Sequence, residues 1–158
     1  MSSGPSAAPP ASVRQRGRHR AREAAVQMLY QFEFGKAELA EVMGTFWSLA
    51  APGAPPASDS VRAFAEDLVR GTVADLPRID PLLAGTAEHW RLSRMAAVDR
   101  TILRLATHEF LREATPRNVV INEALELAKT FSTEESARFI NGMLDAIKQR
   151  LDRPGDQR

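Results

Sequence analysis

The sequence contains no cysteine. It therefore forms no disulfide and offers no thiolate to a metal ion or to nucleophilic catalysis, which fits the reducing environment of the cytoplasm. No apolar run approaches the ~18 residues that span a bilayer, and the N-terminus holds no apolar stretch of the secretory type. We therefore expect a cytoplasmic protein that does not associate with membranes.

Motifs that carry catalysis are absent as well. The sequence has no phosphate-binding glycine loop, no dinucleotide-binding fingerprint and no HExxH motif. Its three histidines, His19, His89 and His108, never stand at metal-ligand spacing. We expect no catalytic residues, no metal and no cofactor, and therefore a protein that is not an enzyme.

Acidic residues are missing from the first 22 positions, where the only charged side chains are five arginines at alternate positions. These are Arg14, Arg16, Arg18, Arg20 and Arg22. The whole chain has 21 basic and 20 acidic residues and a net charge of +1. Without the five arginines, 16 basic residues stand against 20 acidic ones, a net charge of −4. The positive charge is therefore concentrated at the head of the chain.

The arginine-rich head predicts a nucleic-acid-binding arm. Residues 1–13 are small, proline-bearing and nearly free of apolar bulk, so we expect residues 1–17 to be a disordered arm. Guanidinium groups pair with phosphates and stack on exposed bases, and alternate spacing puts all of them on one side of an extended arm. Two alternatives stay open, an organellar targeting segment and an incidental solubility tail.

Helical periodicity dominates the rest of the chain, and no segment of useful length alternates with period two. The sequence therefore predicts an all-α fold of six or seven helices. The first helix begins near Arg18 to Arg20 and ends at Gly35; a second begins near Leu39; a third begins at Ser58 or Asp59 and ends near Pro77.

Later helix boundaries are predicted from prolines and capping residues. Asp80-Pro81 starts another helix, and Ser93 caps a broadly apolar helix that we expect at the centre of the fold. Asn118 caps the next helix, and Ser132 with Glu135 forms the capping box of the last one.

Two aromatic residues lie outside the apolar stripes of their helices. On a helical wheel of ~100° per residue, Tyr30 falls nearly opposite the stripe of the first helix, and Phe139 lies roughly 115° from the stripe of the last. Such rings usually pack in a second interface. Beside an arginine-rich arm they also fit a base-stacking platform, which is worth ~1–3 kcal/mol per base.

Three segments resemble the NusB family of bacterial antitermination factors: RAREAAVQMLYQFEFG (20–35), VDRTILRLATHEFL (98–111) and NVVINEALELAKTFSTEESARFINGMLDAIKQ (118–149). Roughly half of the chain carries the resemblance, and residues 36–89 fit only by helix count. The resemblance implies two packed helical subdomains, which we place at residues 18–76 and 77–152, followed by a disordered tail at 153–158.

The same resemblance implies a function and a set of partners. Members pair with NusE, a small-subunit ribosomal protein, and bind the single-stranded boxA element of rRNA leader transcripts. In this way they help the RNA polymerase antitermination complex and support rRNA maturation. The resemblance places RNA contacts at Arg18, Arg20, Arg22, Tyr30, Glu135 and Phe139, and the NusE face around Trp90 to Arg104.

Other interpretations of the sequence stay open. The chain could be a helical protein-binding scaffold with an incidental basic tail, or an RNA-targeting domain like the one that precedes some rRNA cytosine methyltransferases. Exposed apolar side chains could also seal a homodimer, which would hide the RNA surface until the protein partner arrives.

Overall fold

The computed structural model describes residues 10–49, 53–87 and 94–153. Within these ranges the chain forms six α-helices, one 3₁₀ turn and no strand. The elements are α1 (Ala11–Phe34), α2 (Leu39–Phe46), a 3₁₀ turn (Trp47–Leu49), α3 (Asp59–Thr86), α4 (Ala97–Arg112), α5 (Arg117–Phe131) and α6 (Glu134–Asp152). The predicted all-α class is confirmed.

Helix α4 lies at the centre of the fold. It packs against α1, α3, α5 and α6, and both apolar and polar residues are buried along its length. A helix with neighbours on several sides needs apolar residues on more than one face, and this breadth is what the sequence showed between residues 95 and 110. The predicted central helix is therefore confirmed, but its predicted cap at Ser93 is wrong, because α4 begins at Ala97 and its N-cap residue is Ala96.

Helix α1 begins at Ala11, which corrects the predicted start near Arg18 to Arg20 and the predicted disorder of residues 11–17. Alanine, arginine and glutamine are good helix formers, so the first turns cost little once the helix is anchored. Packing supplies an anchor, because Gly17 sits so close to α3 that a Cβ there would come within 3.2 Å of a Val61 methyl. Residues 1–9 of the predicted arm lie outside the described residues.

Helix α3 runs without a break through Pro77 and Pro81, where the sequence analysis places the end of one helix and the start of another. Each proline removes one backbone N–H from the helix ladder. Complete burial of Ile79 and Leu83 on either side of Pro81 offsets that loss. Because α3 is continuous from residue 76 to residue 77, no helix boundary separates the two predicted subdomains there.

Helix termini confirm some predicted caps and correct others. Gly35 follows the last residue of α1, and the Ser58 hydroxyl accepts a hydrogen bond from the backbone N–H three residues on, at 3.3 Å. Asn118 does not cap α5, which already begins at Arg117. The Pro116 carbonyl starts that helix by accepting the N–H groups three and four residues on, and its fixed φ suits a helix entry.

The cap of α6 is Thr133 rather than Ser132. Thr133 Oγ1 accepts the Ser136 N–H at 3.0 Å, while Ser132 Oγ donates to the Ser136 hydroxyl at 2.9 Å. The predicted capping box of Ser132 and Glu135 is therefore wrong by one residue. Sequence spacing could not separate the two choices, because both Ser132 and Thr133 are good N-cap residues.

Replacing Thr133 by alanine should lower the free energy of unfolding by about 1 kcal/mol, the usual cost of losing an N-cap hydroxyl. Thr133→Ser keeps the hydroxyl and serves as the matched control, with an expected loss of a few tenths of a kcal/mol. Urea denaturation followed by circular dichroism measures both. A larger loss from Ser132→Ala than from Thr133→Ala would return the cap to Ser132.

Candidate nucleic-acid interface

The N-terminal half of α1 carries unpaired positive charge. Arg14, Arg16 and Arg18 are exposed, and none of them forms an ion pair with a described residue. The first turn of α1 contains no acid, and the positive end of the helix dipole adds to the field of these guanidinium groups. This end of the helix is therefore suited to attract phosphates.

A helical arm divides the arginine run between two faces, which corrects the expectation that all five share one side. Alternate residues lie about 200° apart on a helix, whereas residues four apart share a face. Arg18 and Arg22 both lie over the ring of Phe64, at 5.1 and 5.4 Å from its centroid. Arg16 and Arg20 belong to the other row.

Arg22 is part of the folded core. Its side chain is only 3% exposed, and its Nε and Nη2 atoms donate to the two carboxylate oxygens of Glu109 at 3.0 and 2.8 Å. A guanidinium that is enclosed, with Nε and Nη2 both bonded to one carboxylate, is poorly placed to reach an RNA phosphate. This burial and pairing give Arg22 a structural role and argue against its predicted RNA contact.

Arg20 is intermediate between the exposed arginines and the buried Arg22. Its side chain is half-buried, and its guanidinium donates to the Pro55 carbonyl in the loop that leads into α3. A neutral carbonyl uses one donor without cancelling the charge. Arg20 therefore keeps a positive charge close to the exposed arginines of α1.

His19 ties the arginine-bearing part of α1 to α5. Its Nδ1 lies 2.7 Å from a Glu123 oxygen, and its Nε2 lies 3.3 Å from a Glu23 oxygen. The contact with Glu123 joins α1 to α5, whereas the contact with Glu23 lies within α1. The histidine that interrupts the arginine run is thus an attachment point, and Glu123 was not found by the sequence analysis.

Tyr30 is 42% exposed, which confirms that it lies outside the core. Its ring packs on Phe34 with 4.8 Å between centroids and a tilt of 45°. Phe34 is 57% exposed, so the two rings form an apolar patch on the outer face of α1. The sequence analysis did not select Phe34, although the spacing of four residues from Tyr30 was the available signal.

Phe139 is half-buried rather than fully outward, which corrects the expectation of a free ring. It lines a pocket of about 250 Å³ between the start of α6 and the start of α4, together with Glu135, Ser136 and Asp99. Glu135 is exposed at the rim of this pocket. Asp99, which the sequence analysis did not select, is 7% exposed and accepts a hydrogen bond from the Ser136 hydroxyl at 2.9 Å.

The Tyr30–Phe34 patch and the Phe139 pocket lie on helices that both contact the first turns of α4. On one side, Glu33 of α1 pairs with Arg100, and on the other, Ser136 of α6 bonds to Asp99. Consecutive residues of α4 thus contact the helices that carry Tyr30 and Phe139. Arg18 lies about 18 Å along α1 from Tyr30, at 1.5 Å per residue. Positive charge and exposed aromatic rings therefore lie towards opposite ends of α1.

The described residues include no group of three or more histidine, aspartate or glutamate side chains that could hold a metal ion. None of the helices in the described ranges is long and apolar enough to cross a membrane.

Comparison with known proteins gives a consistent set of similarities. A family model described as the NusB family matches residues 19–149. The chain is 44% identical to the transcription antitermination protein NusB of Solibacter usitatus, over 87% of this chain and 92% of the relative. It is 46% identical to that of Koribacter versatilis, over 85% and 90%. The match to the family model begins at residue 19, after Arg14, Arg16 and Arg18.

Solved structures agree with these similarities. Thermotoga maritima NusB superposes with a TM-score of 0.72 and 36% identity, over 84% of this chain and 90% of that one. A crystal structure of the antitermination factors NusB and NusE in complex with double-stranded RNA superposes with a TM-score of 0.75, over 85% of this chain and 97% of that one. Its identity is 23%, so the likeness concerns the fold.

Proposed function

The chain belongs to the NusB family of transcription antitermination factors, and we propose that it binds the single-stranded boxA RNA of rRNA leader transcripts together with NusE. Its family consists of antitermination factors, and the protein is not an enzyme. In the proposal it acts in the cytoplasm, where it joins the RNA polymerase antitermination complex and supports rRNA transcription and maturation.

The observation that carries the proposal is the distribution of charge and aromatic surface along α1. Three exposed arginines without an ion pair stand at one end, on a chain whose remainder is net acidic. Two exposed rings, Tyr30 and Phe34, stand at the other end. Arginines bind any phosphate backbone, whereas rings stack on bases that are free of a duplex. The combination favours a single strand over a duplex.

Glu135 and Phe139 fit this proposal as contacts to bases. A carboxylate repels phosphate, but it accepts hydrogen bonds from the amino groups of base edges. Phe139 offers part of its ring in the same pocket. We place the phosphates on the arginine end and the base-reading contacts around the start of α6.

The partner NusE enters the proposal through the family and the likeness to a NusB and NusE complex. The proposed face lies around Trp90 to Arg104, of which residues 94–104 are described, and residues 94–96 and 99 line the Phe139 pocket. A homodimer through Tyr30 and Phe34 is the competing use of the aromatic surface. The mass of the free protein in solution distinguishes a dimer from a monomer that keeps these rings available.

Replacing Arg14, Arg16 and Arg18 together by alanine should weaken the salt dependence of RNA binding. Each phosphate contact to a single strand contributes about 0.7 to the slope of log K against log salt, so the slope should fall by about 2. Fluorescence anisotropy with a short boxA RNA, at several salt concentrations and with NusE both absent and present, measures the change.

The matched control removes the same charge elsewhere, by replacing Arg70, Arg78 and Arg112, which are exposed on α3 and at the end of α4. Its slope should stay close to that of the wild-type protein. An equal loss of slope in both triple variants would mean that only net charge matters, and the proposed phosphate contacts would be wrong.

A further inference from the structure

An open groove runs between α1 and the segment formed by α2 and the 3₁₀ turn. Its volume is about 470 Å³, within the range of small-molecule sites in proteins. One wall is polar and includes Arg20, Gln27 and Gln31 of α1, and the opposite wall is apolar and includes Phe46, Trp47 and Leu49. The contrast between the walls defines the kind of ligand that fits.

The polar wall has hydrogen-bonding groups that are free. Gln27 and Gln31 stand one helical turn apart and are exposed, and their side chains make no hydrogen bond with a described residue. A carboxamide both donates and accepts hydrogen bonds. Two such groups in a row can pair with a flat ligand whose edge alternates donors and acceptors.

The apolar wall is built from rings held in place. Phe46 and Trp47 meet edge to face, with centroids 5.0 Å apart at 87°. The guanidinium of Arg62 lies over the indole of Trp47 at 5.5 Å, which fixes the plane of that ring. Leu49 extends the wall and is 79% exposed. A wall of this kind favours a flat, uncharged ring.

The groove continues the surface of the proposed RNA path. Arg20 stands at one end, four residues after the exposed Arg16 and therefore on the same face of α1. Gln31 stands at the other end, next to Tyr30. A strand that follows α1 from the arginines to the rings passes the opening of the groove.

We propose that this groove binds one nucleobase of the single-stranded RNA, turned in between the glutamine wall and Trp47. The inference rests on the proposed RNA-binding function and adds a base-specific site to it. The amides of Gln27 and Gln31 pair with the base edge, and the ring of Trp47 faces the base. A phosphate is disfavoured as the occupant because the carboxylate of Glu23 lines the groove beside Arg20 and repels it, while the exposed Arg14, Arg16 and Arg18 lie outside the groove.

The test uses the full chain and a short boxA RNA in which each position in turn is abasic. Removing the base that enters the groove should weaken binding about 5- to 150-fold, which is what one stacked base contributes. Gln27→Ala should weaken binding of the intact RNA but not of the RNA that is abasic at this position, because the two changes then remove the same contact. Gln149→Ala, on the exposed side of α6, is the control.

A second readout follows Trp47 directly. The chain has two tryptophans, so the part of the emission that Trp47→Phe removes belongs to Trp47. Its emission should change as the intact RNA binds and should stay constant with the critical abasic RNA. Circular dichroism of the variant verifies that it is folded, and the abasic series on the wild-type protein does not depend on this substitution.

The outcomes separate the two proposals. If RNA binds by anisotropy while no abasic position couples to Gln27 and Trp47 emission is constant, the groove proposal is overturned and the proposed function stands. If no RNA binds, with or without NusE, both are overturned. If Trp47 responds to NusE alone, the groove is a protein-docking site and not a base site.

Discussion

Replacing Arg22 by alanine is expected to lower the free energy of unfolding by about 3–5 kcal/mol, because the change strands a buried carboxylate. Glu109 is 5% exposed, and Arg22 is its bidentate partner across the contact of α1 with α4. Without the guanidinium, Glu109 must either hold an uncompensated charge in the interior or take up a proton. Urea denaturation at neutral pH, followed by circular dichroism, measures the loss.

The neighbouring arginines give matched controls for this substitution. Arg18→Ala removes an exposed guanidinium from the same face of α1 and should change the free energy of unfolding by no more than about 0.5 kcal/mol. Replacing Arg22 and Glu109 together by methionine and leucine should recover most of the stability, because no buried charge is left. A fully stable Arg22→Ala variant that has lost RNA affinity would restore Arg22 as a direct RNA contact.

Replacing Ile140 by alanine is expected to lower the free energy of unfolding by about 2–5 kcal/mol, since its side chain is fully buried in α6. The adjacent Phe139→Ala should cost less stability, because Phe139 is only half-buried. It should instead weaken RNA binding by about 1–3 kcal/mol if a base stacks on the ring. Urea denaturation and anisotropy on both variants measure the two effects separately.

Phe139 and Ile140 are adjacent on α6, yet the substitution of Ile140 tests core packing and the substitution of Phe139 tests RNA binding. If Phe139→Ala leaves RNA affinity unchanged while the protein stays folded, the base contact is absent. The same result with Tyr30→Ala would favour the alternative of a protein-binding helical scaffold with an incidental basic tail.

The sequence predicted those parts of the fold that depend on local pattern. The breadth of the apolar face between residues 95 and 110 identified α4 as the central helix, and the stripe that contains Ile140 identified α6. The exposure of Tyr30 followed from its angle on the helical wheel alone. Each of these properties is decided within one helix, so no knowledge of its neighbours was needed.

The corrections concern residues whose state depends on a distant partner. Pro77 and Pro81 read as breaks, yet the burial of α3 against its neighbours outweighs the two missing N–H groups. The helical start at Ala11 depends on the packing of Gly17 against α3. Local propensity gives no information about such contacts.

In the candidate site, too, the sequence failed to predict the residues whose role depends on a distant partner. Arg22 was assigned to RNA because it belongs to a run of arginines, but Glu109 is 87 residues away in sequence and pairs with it in the core. Asp99 gave no signal at all, since an aspartate in the first turn of a helix normally stays in solvent and meets the helix dipole. Only the contact with α6 reveals that it lines the Phe139 pocket.

Because the five arginines fall in two rows on α1, the direction in which each arginine points matters more than the number of arginines. Arg22 pairs with Glu109 in the core and lies with Arg18 over Phe64, whereas Arg16, in the other row, is exposed. A single residue inserted between Arg20 and Arg22 would rotate everything before it by about 100° relative to the rest of α1. Arginine, lysine or histidine can exchange at the exposed positions with little cost to folding, but a change in length moves the exposed charges to another face of α1. Exchange of one cation for another therefore leaves the geometry of this surface intact, whereas a single insertion or deletion rearranges it.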